Sequence, residues 1–175
     1  MACEVISGFN NGSACDSQAG VKQWYVASTA NIASKTVVAG AVTAMTMVAS
    51  KKFWPITLDM QQSFFNDQAI GSRENASYAR EHSATMKLAG NTASDIVALE
   101  DMGRGRVTLI AALQDGTYEV LGLTNGMKMM ENRTSGQAME DFNGNELVFS
   151  GKEPSKAPKI AIGLITPLLY LVLIH

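Results

Sequence analysis

The sequence predicts a mainly β protein: an antiparallel β-sandwich or open barrel with one packed α-helix and a long β-hairpin arm. Three observations carry this expectation. Much of the chain alternates apolar and polar residues with the period of two that marks a half-buried strand. A single convincing helix signal opens at Thr92. Three Asx-Gly pairs, Asp115-Gly116, Asn125-Gly126 and Asn143-Gly144, punctuate the second half of the chain. Both residue types accept positive φ, so these pairs read as tight turns.

Residues 1–19 contain Ser7-Gly8-Phe9-Asn10-Asn11-Gly12 and read as an N-terminal loop or arm. Residues 20–28 read as the first strand, with Val21, Gln23, Tyr25 and Ala27 on one face and Lys22, Trp24 and Val26 on the other. Residues 37–49 are β-branched and broken by glycine, which predicts a strand or a strand pair. Residues 53–65 read as a longer strand, 66–72 as a turn or loop, and 73–88 as a second extended segment. Together they form a long, mostly polar hairpin with a weak apolar face. Such a hairpin buries little by itself, so it is expected to act as an arm that contacts neighbouring subunits. Its candidate interface residues are Phe53, Trp54, Phe64, Phe65, Tyr78, Arg80 and His82.

Thr92 as N-cap with Asp95 three residues on resembles a capping box, Asp replacing the usual Glu. The helix is expected over 92–102, with Gly103 as its stop and Ile96, Leu99 and Met102 as the stripe that packs on the sandwich. Strands at 106–113 and 117–123 flank Asp115-Gly116, and the two later Asx-Gly pairs extend the pattern into an antiparallel meander. The sandwich is expected to span 20–153. Residues 154–175 then form an apolar C-terminal segment, uncharged from 160 to 174 and interrupted by Pro167. A spanning helix needs about 20 apolar residues, so this run is expected to be buried against the domain or a neighbour, and no membrane partner is expected.

The chain has 175 residues, enough for one domain with a core of its own. Only 17% of its residues are charged, against about 25% in ordinary soluble domains. A thin charged coat points to a surface covered by partners. With a net charge of −2 and no basic patch, tight binding to a phosphate backbone is excluded. The N-terminus lacks the basic and apolar regions of a secretory signal. Cys3 and Cys15 are the only cysteines and His82 and His175 the only histidines. Their spacing fits no zinc pattern, and the thiols are read as reduced and structural, with a Cys3–Cys15 disulfide as the alternative.

No catalytic constellation is recognisable. There is no Gly-x-Ser-x-Gly elbow and no phosphate loop. Gly103-Arg104-Gly105-Arg106 follows the helix, where the dipole repels anions, and reads as a connection. The adjacent acids Glu100-Asp101 and Glu140-Asp141 point different ways and build no shared site. No catalytic, cofactor-binding or metal-binding residue is assigned, and the chain is not expected to be an enzyme.

The order of strands, long hairpin, single helix and glycine-punctuated meander resembles the tail tube (major tail) proteins of tailed bacteriophages. It is most similar to variants associated with phages of Bacteroidetes-type hosts. The residues that carry the resemblance run over 93–153: Ser94-Asp95-Ile96-Val97-Ala98-Leu99, Arg106-Val107-Thr108-Leu109-Ile110-Ala111, Asp115-Gly116-Thr117-Tyr118-Glu119-Val120, Asp141-Phe142-Asn143-Gly144 and Leu147-Val148-Phe149-Ser150-Gly151. The C-terminal apolar run departs from the family pattern. The resemblance implies a virion protein assembled in the host cytoplasm. It implies hexameric rings that stack into a tube, contacts with other tail proteins, and a lumen through which DNA passes without specific binding. A net acidic subunit suits such a lumen by repulsion. Two alternatives remain open: another virion ring or decoration protein, and a ligand-binding β-sandwich using Trp24, Tyr25, Trp54 and Tyr78 as stacking residues.

Overall fold

A computed structural model describes residues 20–58, 63–72, 74, 77–89, 92–138 and 140–169. The chain is mainly β, with two sheets and few helices. The first half supplies β1 (Val21–Ser28), β2 (Ile32–Val38), β3 (Ala41–Met47), β4 (Trp54–Ile56), β5 (Ser63–Ser72) and β6 (Ser77–Ala89). After α1 (Ala93–Arg104) come β7 (Val107–Leu113), β8 (Tyr118–Leu121), β9 (Lys128–Thr134) and β10 (Gly144–Glu153). The short β11 (Lys159–Ile160) and α2 (Ile162–Ile165) complete the described chain, followed by a 3-10 turn at Thr166–Leu168.

One sheet has seven strands in the order β2-β3-β11-β8-β7-β1-β4; the other has four, β5-β6-β10-β9. All pairings are antiparallel except β11 with β3. The central strands of the seven-stranded sheet are buried on both faces. Toward the smaller sheet it presents Trp24, Val26, Leu109, Ala111 and Leu121, which meet Ala84, Met86, Leu147 and Phe149. Trp24 meets the half-buried Phe65 edge-on, ring centroids 6.2 Å apart. On its other face Ala27, Ile110, Val120, Val42 and Met45 are covered by Phe53, Ile165 and Leu168. Strand β7 sits between the two cores, which is why VTLIAAL reads as a continuous apolar run rather than an alternation.

The covered second face explains the C-terminal apolar segment. Within the described residues it is neither an anchor nor a loose tail, for α2 and the following turn sink Ile165 and Leu168 into the second core. No helix among the described residues is long and apolar enough to cross a membrane.

Several local expectations hold. Residues 37–49 contain a strand pair's turn, with Ala39 and Gly40 at φ 49° and 78° between β2 and β3. The capping box is present: Thr92 Oγ1 accepts from the Asp95 N–H at 3.3 Å, and Asp95 Oδ2 accepts from the Thr92 N–H at 2.9 Å. At Asp115-Gly116 the Asp115 carboxylate accepts from the Thr117 N–H at 2.8 Å, and Gly116 takes φ 83° between paired β7 and β8.

Others are corrected. Val21 joins the same core as Trp24 and Val26, because a register shift between Val21 and Gln23 inserts Lys22 as a bulge and reverses the alternation. Residues 53–65 are not one strand: β4 pairs with β1 in the larger sheet, and β5 begins the smaller one at Ser63. The turn expected at 66–72 is strand, so the hairpin reverses between Ser72 and Ser77. Gly103 stays helical and Gly105 is the cap. Asn125-Gly126 closes no hairpin but lies on the crossover from β8 in one sheet to β9 in the other. Asn143-Gly144 is likewise no tight turn; residues 135–143 connect β9 to β10, and Gly144 opens that strand. Turn chemistry marks a place where the chain bends, and the strands it joins depend on long-range pairing.

Candidate assembly interface

Among the described residues the four-stranded sheet has one covered face and one bare face. Inward residues of β6 and β10, Ala84, Met86, Leu147 and Phe149, are buried, so the residues between them point away from the sandwich. Register aligns those outward residues into transverse rows. Phe64, Thr85, Val148 and Met130 lie side by side across all four strands. Three of them form an exposed apolar row: Phe64 at 62%, Val148 at 38% and Met130 at 70%. The flanking rows are polar: Asn66, Ser83, Ser150 and Lys128 on one side, Lys87, Glu146 and Asn132 on the other. Glu81 and Lys152 face each other beyond them. This face therefore carries Glu81 and Glu146 against Lys87, Lys128 and Lys152, and the chain's acidic balance does not extend to it.

Neither edge of this sheet carries a further strand among the described residues, although α1 lies beside β9. β5 pairs only with β6 and β9 only with β10 among the described residues. An exposed strand edge is a template for pairing with another chain. At one end of the larger sheet β2 is a second open edge, exposed along its length apart from the half-buried Ile32, with Val37 and Val38 uncovered.

The interface residues expected from the sequence do not gather in one place. Trp54, Phe64 and Tyr78 are exposed, at 52%, 62% and 66%. Phe64 lies on the bare sheet face, and Tyr78 lies near the far end of the β5–β6 hairpin, opposite Gly71. Trp54 borders an apolar groove between α1 and β4. Phe53 is wholly buried in the second core, Phe65 packs on Trp24, and His82 is 1% exposed. Phe53 and His82 are interior residues that cannot meet a neighbour while the fold is intact, and Phe65 is half-buried with its ring against Trp24. On the helix, Leu99 is buried and Met102 half-buried, but Ile96 is 47% exposed. Leu99 is thus the anchor of α1, and Ile96 lies outside the contact. The aromatic set Trp24, Tyr25, Trp54 and Tyr78 is dispersed between core, groove and hairpin end and builds no stacking platform.

The groove has a volume of about 590 Å³ and is lined by Val26, Trp54, Ile56, Leu88, Leu99, Met102 and Leu147, with Thr57 and Asp95 as its polar members.

A buried ionic cluster was not foreseen. Arg80 Nε donates to Asp67 Oδ1 at 2.7 Å, and Asp67 Oδ2 accepts from the Ala157 N–H at 3.0 Å. His82 Nδ1 accepts from the Gly122 N–H at 3.2 Å, while its Nε2 lies 3.4 Å from Asp67 Oδ1, outside hydrogen-bond geometry. The Glu153 side chain, 3% exposed with its residue, accepts from the Thr124, Asn125 and Gly126 N–H groups at 3.0, 2.8 and 3.2 Å. Burial pushes the Asp67 carboxyl upward, but Arg80, the Ala157 N–H and His82 outweigh it and hold it below the usual range. Burial dominates at His82 and lowers its pKa despite Asp67 and Glu153. With its Nδ1 occupied and its ring enclosed, His82 cannot serve a substrate as a general base. The only sequence signal for this cluster is the period-two spacing that puts Arg80, His82, Ala84 and Met86 on one face of a strand; the partners from β5, β10 and the crossovers carry no local signature.

No protein-family model matches the chain, no curated protein matches it, and no solved structure matches it.

Proposed function

We propose that the chain is a virion structural subunit, not an enzyme, that polymerises as stacked hexameric rings into the tail tube of a bacteriophage. The observation that carries this reading is the four-stranded sheet, with no further strand on either edge among the described residues and a bare, mostly polar outer face. Its strands alternate in direction, so β5 and β9 run opposite ways. When copies repeat head to tail in one orientation, β9 of one lies antiparallel to β5 of the next. Every seam is then an ordinary antiparallel pairing, and closure of the ring removes both edges. The ring number, the stacking and the passage of DNA rest on the resemblance to tail tube proteins. With the bare face lining the lumen, neutral side chains and mixed charge keep DNA from adhering, rather than net repulsion. Partners are further copies and other tail proteins, in a virion tail assembled in the host cytoplasm.

The apolar groove beside Trp54 favours a second reading, a module that binds an apolar ligand. Electron microscopy of the purified full-length chain, with hydrogen exchange on the same sample, separates the two. Rings or hollow tubes are expected, with amides of Ser63–Ser72 and Lys128–Thr134 that exchange quickly in the monomer becoming protected on assembly. A monomer at micromolar concentration, or a polymer whose β5 and β9 amides stay unprotected, overturns the edge-to-edge ring.

A further inference from the structure

The two crossovers between the sheets that follow β8 are held by the same buried ionic cluster. Residues 122–127 leave the larger sheet for the smaller, and residues 154–158 return. His82 and Glu153 bind the first through the N–H groups of Gly122 and of Thr124, Asn125 and Gly126; Asp67 binds the second through the Ala157 N–H. All three side chains come from the smaller sheet. Asp67, His82 and Gly151 are register neighbours across β5, β6 and β10, and Glu153 stands opposite Arg80.

We infer that this cluster is an acid-released clasp: it fastens the two sheets together at neutral pH, and protonation of His82 unfastens the 122–127 crossover in mild acid. The physical reason is a donor conflict. Neutral His82 offers Nδ1 as an acceptor to the Gly122 N–H. Imidazolium carries hydrogen on both nitrogens, so a donor would then face a donor in a site without water access. Gly122 has little freedom to turn away. It sits at φ 65°, and even a Cβ there would lie 2.5 Å from Met127 Cγ and 3.0 Å from Met127 N.

Groups from every packed element bear on the balance. Asp67 of β5 and Glu153 of β10 favour the imidazolium, as does the Ser155 backbone; Arg80 of β6 opposes it, as does burial, which is the largest influence. From the larger sheet, burial raises the pKa of Glu119 of β8, an effect that Lys159 and Lys156 oppose and Asp67 reinforces. The net direction is a His82 pKa below its ordinary 6.5. The sign follows. An unfolded chain takes up the proton as pH falls through 6.5, while the folded chain does not. This contribution to stability is therefore complete above that pH and declines below it. Asp67, whose pKa is lowered, keeps its contribution until pH falls much further. Mild-acid loss thus belongs to His82 and precedes the loss at Asp67.

Urea unfolding of the full-length chain from pH 7.5 to 5.5 tests the clasp and does not depend on the assembly reading. The unfolding equilibrium constant is expected to rise by up to about tenfold per pH unit below 6.5. His82→Asn keeps an acceptor near the Nδ1 position and cannot titrate, so its profile over this range is expected to be flat. A flat profile for the unsubstituted chain, or an equal slope in His82→Asn, overturns the proposal. If His82→Asn does not fold, imidazole nitrogen resonances of the unsubstituted chain decide. An unprotonated Nδ1 at pH 7.5 that titrates below 6.5 supports the clasp; a protonated Nδ1, or titration at or above 6.5, overturns it.

Discussion

The β2–β3 and β5–β6 hairpins are both antiparallel, both carry alternating sequences, and both hold an edge strand of their sheet. In β5–β6 the inner strand has partners on both sides and buries His82, Ala84 and Met86 against the larger sheet. In β2–β3 only Ile32 of the outer strand packs on the core, half-buried, and β3 adds Val42 and Met45 with the half-buried Met47. A Lys35 hydrogen bond to the Leu123 carbonyl is one tie between β2 and the body of the molecule. The more polar hairpin, expected to project as an arm, is therefore half of the smaller sheet, while the segment rich in valine and alanine is the exposed one. Hydrophobicity alone does not assign a strand to the core. What decides is whether a second sheet lies over its face, and that depends on chain segments far away.

The contrast is sharpest in stability. Met86→Ala should cost about 2–5 kcal/mol, since it leaves a cavity between the sheets, whereas Val37→Ala should change stability by less than about 0.5 kcal/mol. Chemical denaturation of both variants checks this, and similar costs would mean that β2 is covered in the folded chain. A second pair of substitutions tests the helix in the same way. Leu99→Ala should cost about 2–4 kcal/mol, while Ile96→Asp, at an exposed position, should cost no more than about 0.5 kcal/mol. A large loss in Ile96→Asp would restore the stripe expected from spacing alone. The smallest effect concerns the β2–β3 turn, where Ala39 occupies φ 49°. Asn tolerates this region better, so Ala39→Asn should stabilise the chain by about 0.5–1 kcal/mol, read as a higher denaturation midpoint. No gain would indicate that the turn relaxes out of that conformation.

The sequence alone determined the features whose physics is local. The mainly β composition, the Thr92–Asp95 cap, the Asp115-Gly116 hairpin and the buried run of β7 each depend on residues a few positions apart. Strand alternation put His82, Ala84 and Met86 on one face, but His82 was expected at a subunit interface and not inside the sandwich. Tertiary structure alone decided which strands share a sheet, that Asn125-Gly126 spans two sheets rather than one hairpin, and that the apolar C-terminal segment covers a second core. It also decided that Asp67, Arg80, His82 and Glu153 meet. The reason is the same in each case: strand pairing and ionic contacts join residues tens of positions apart, and their energy exists only once the sheets have stacked and excluded water around them.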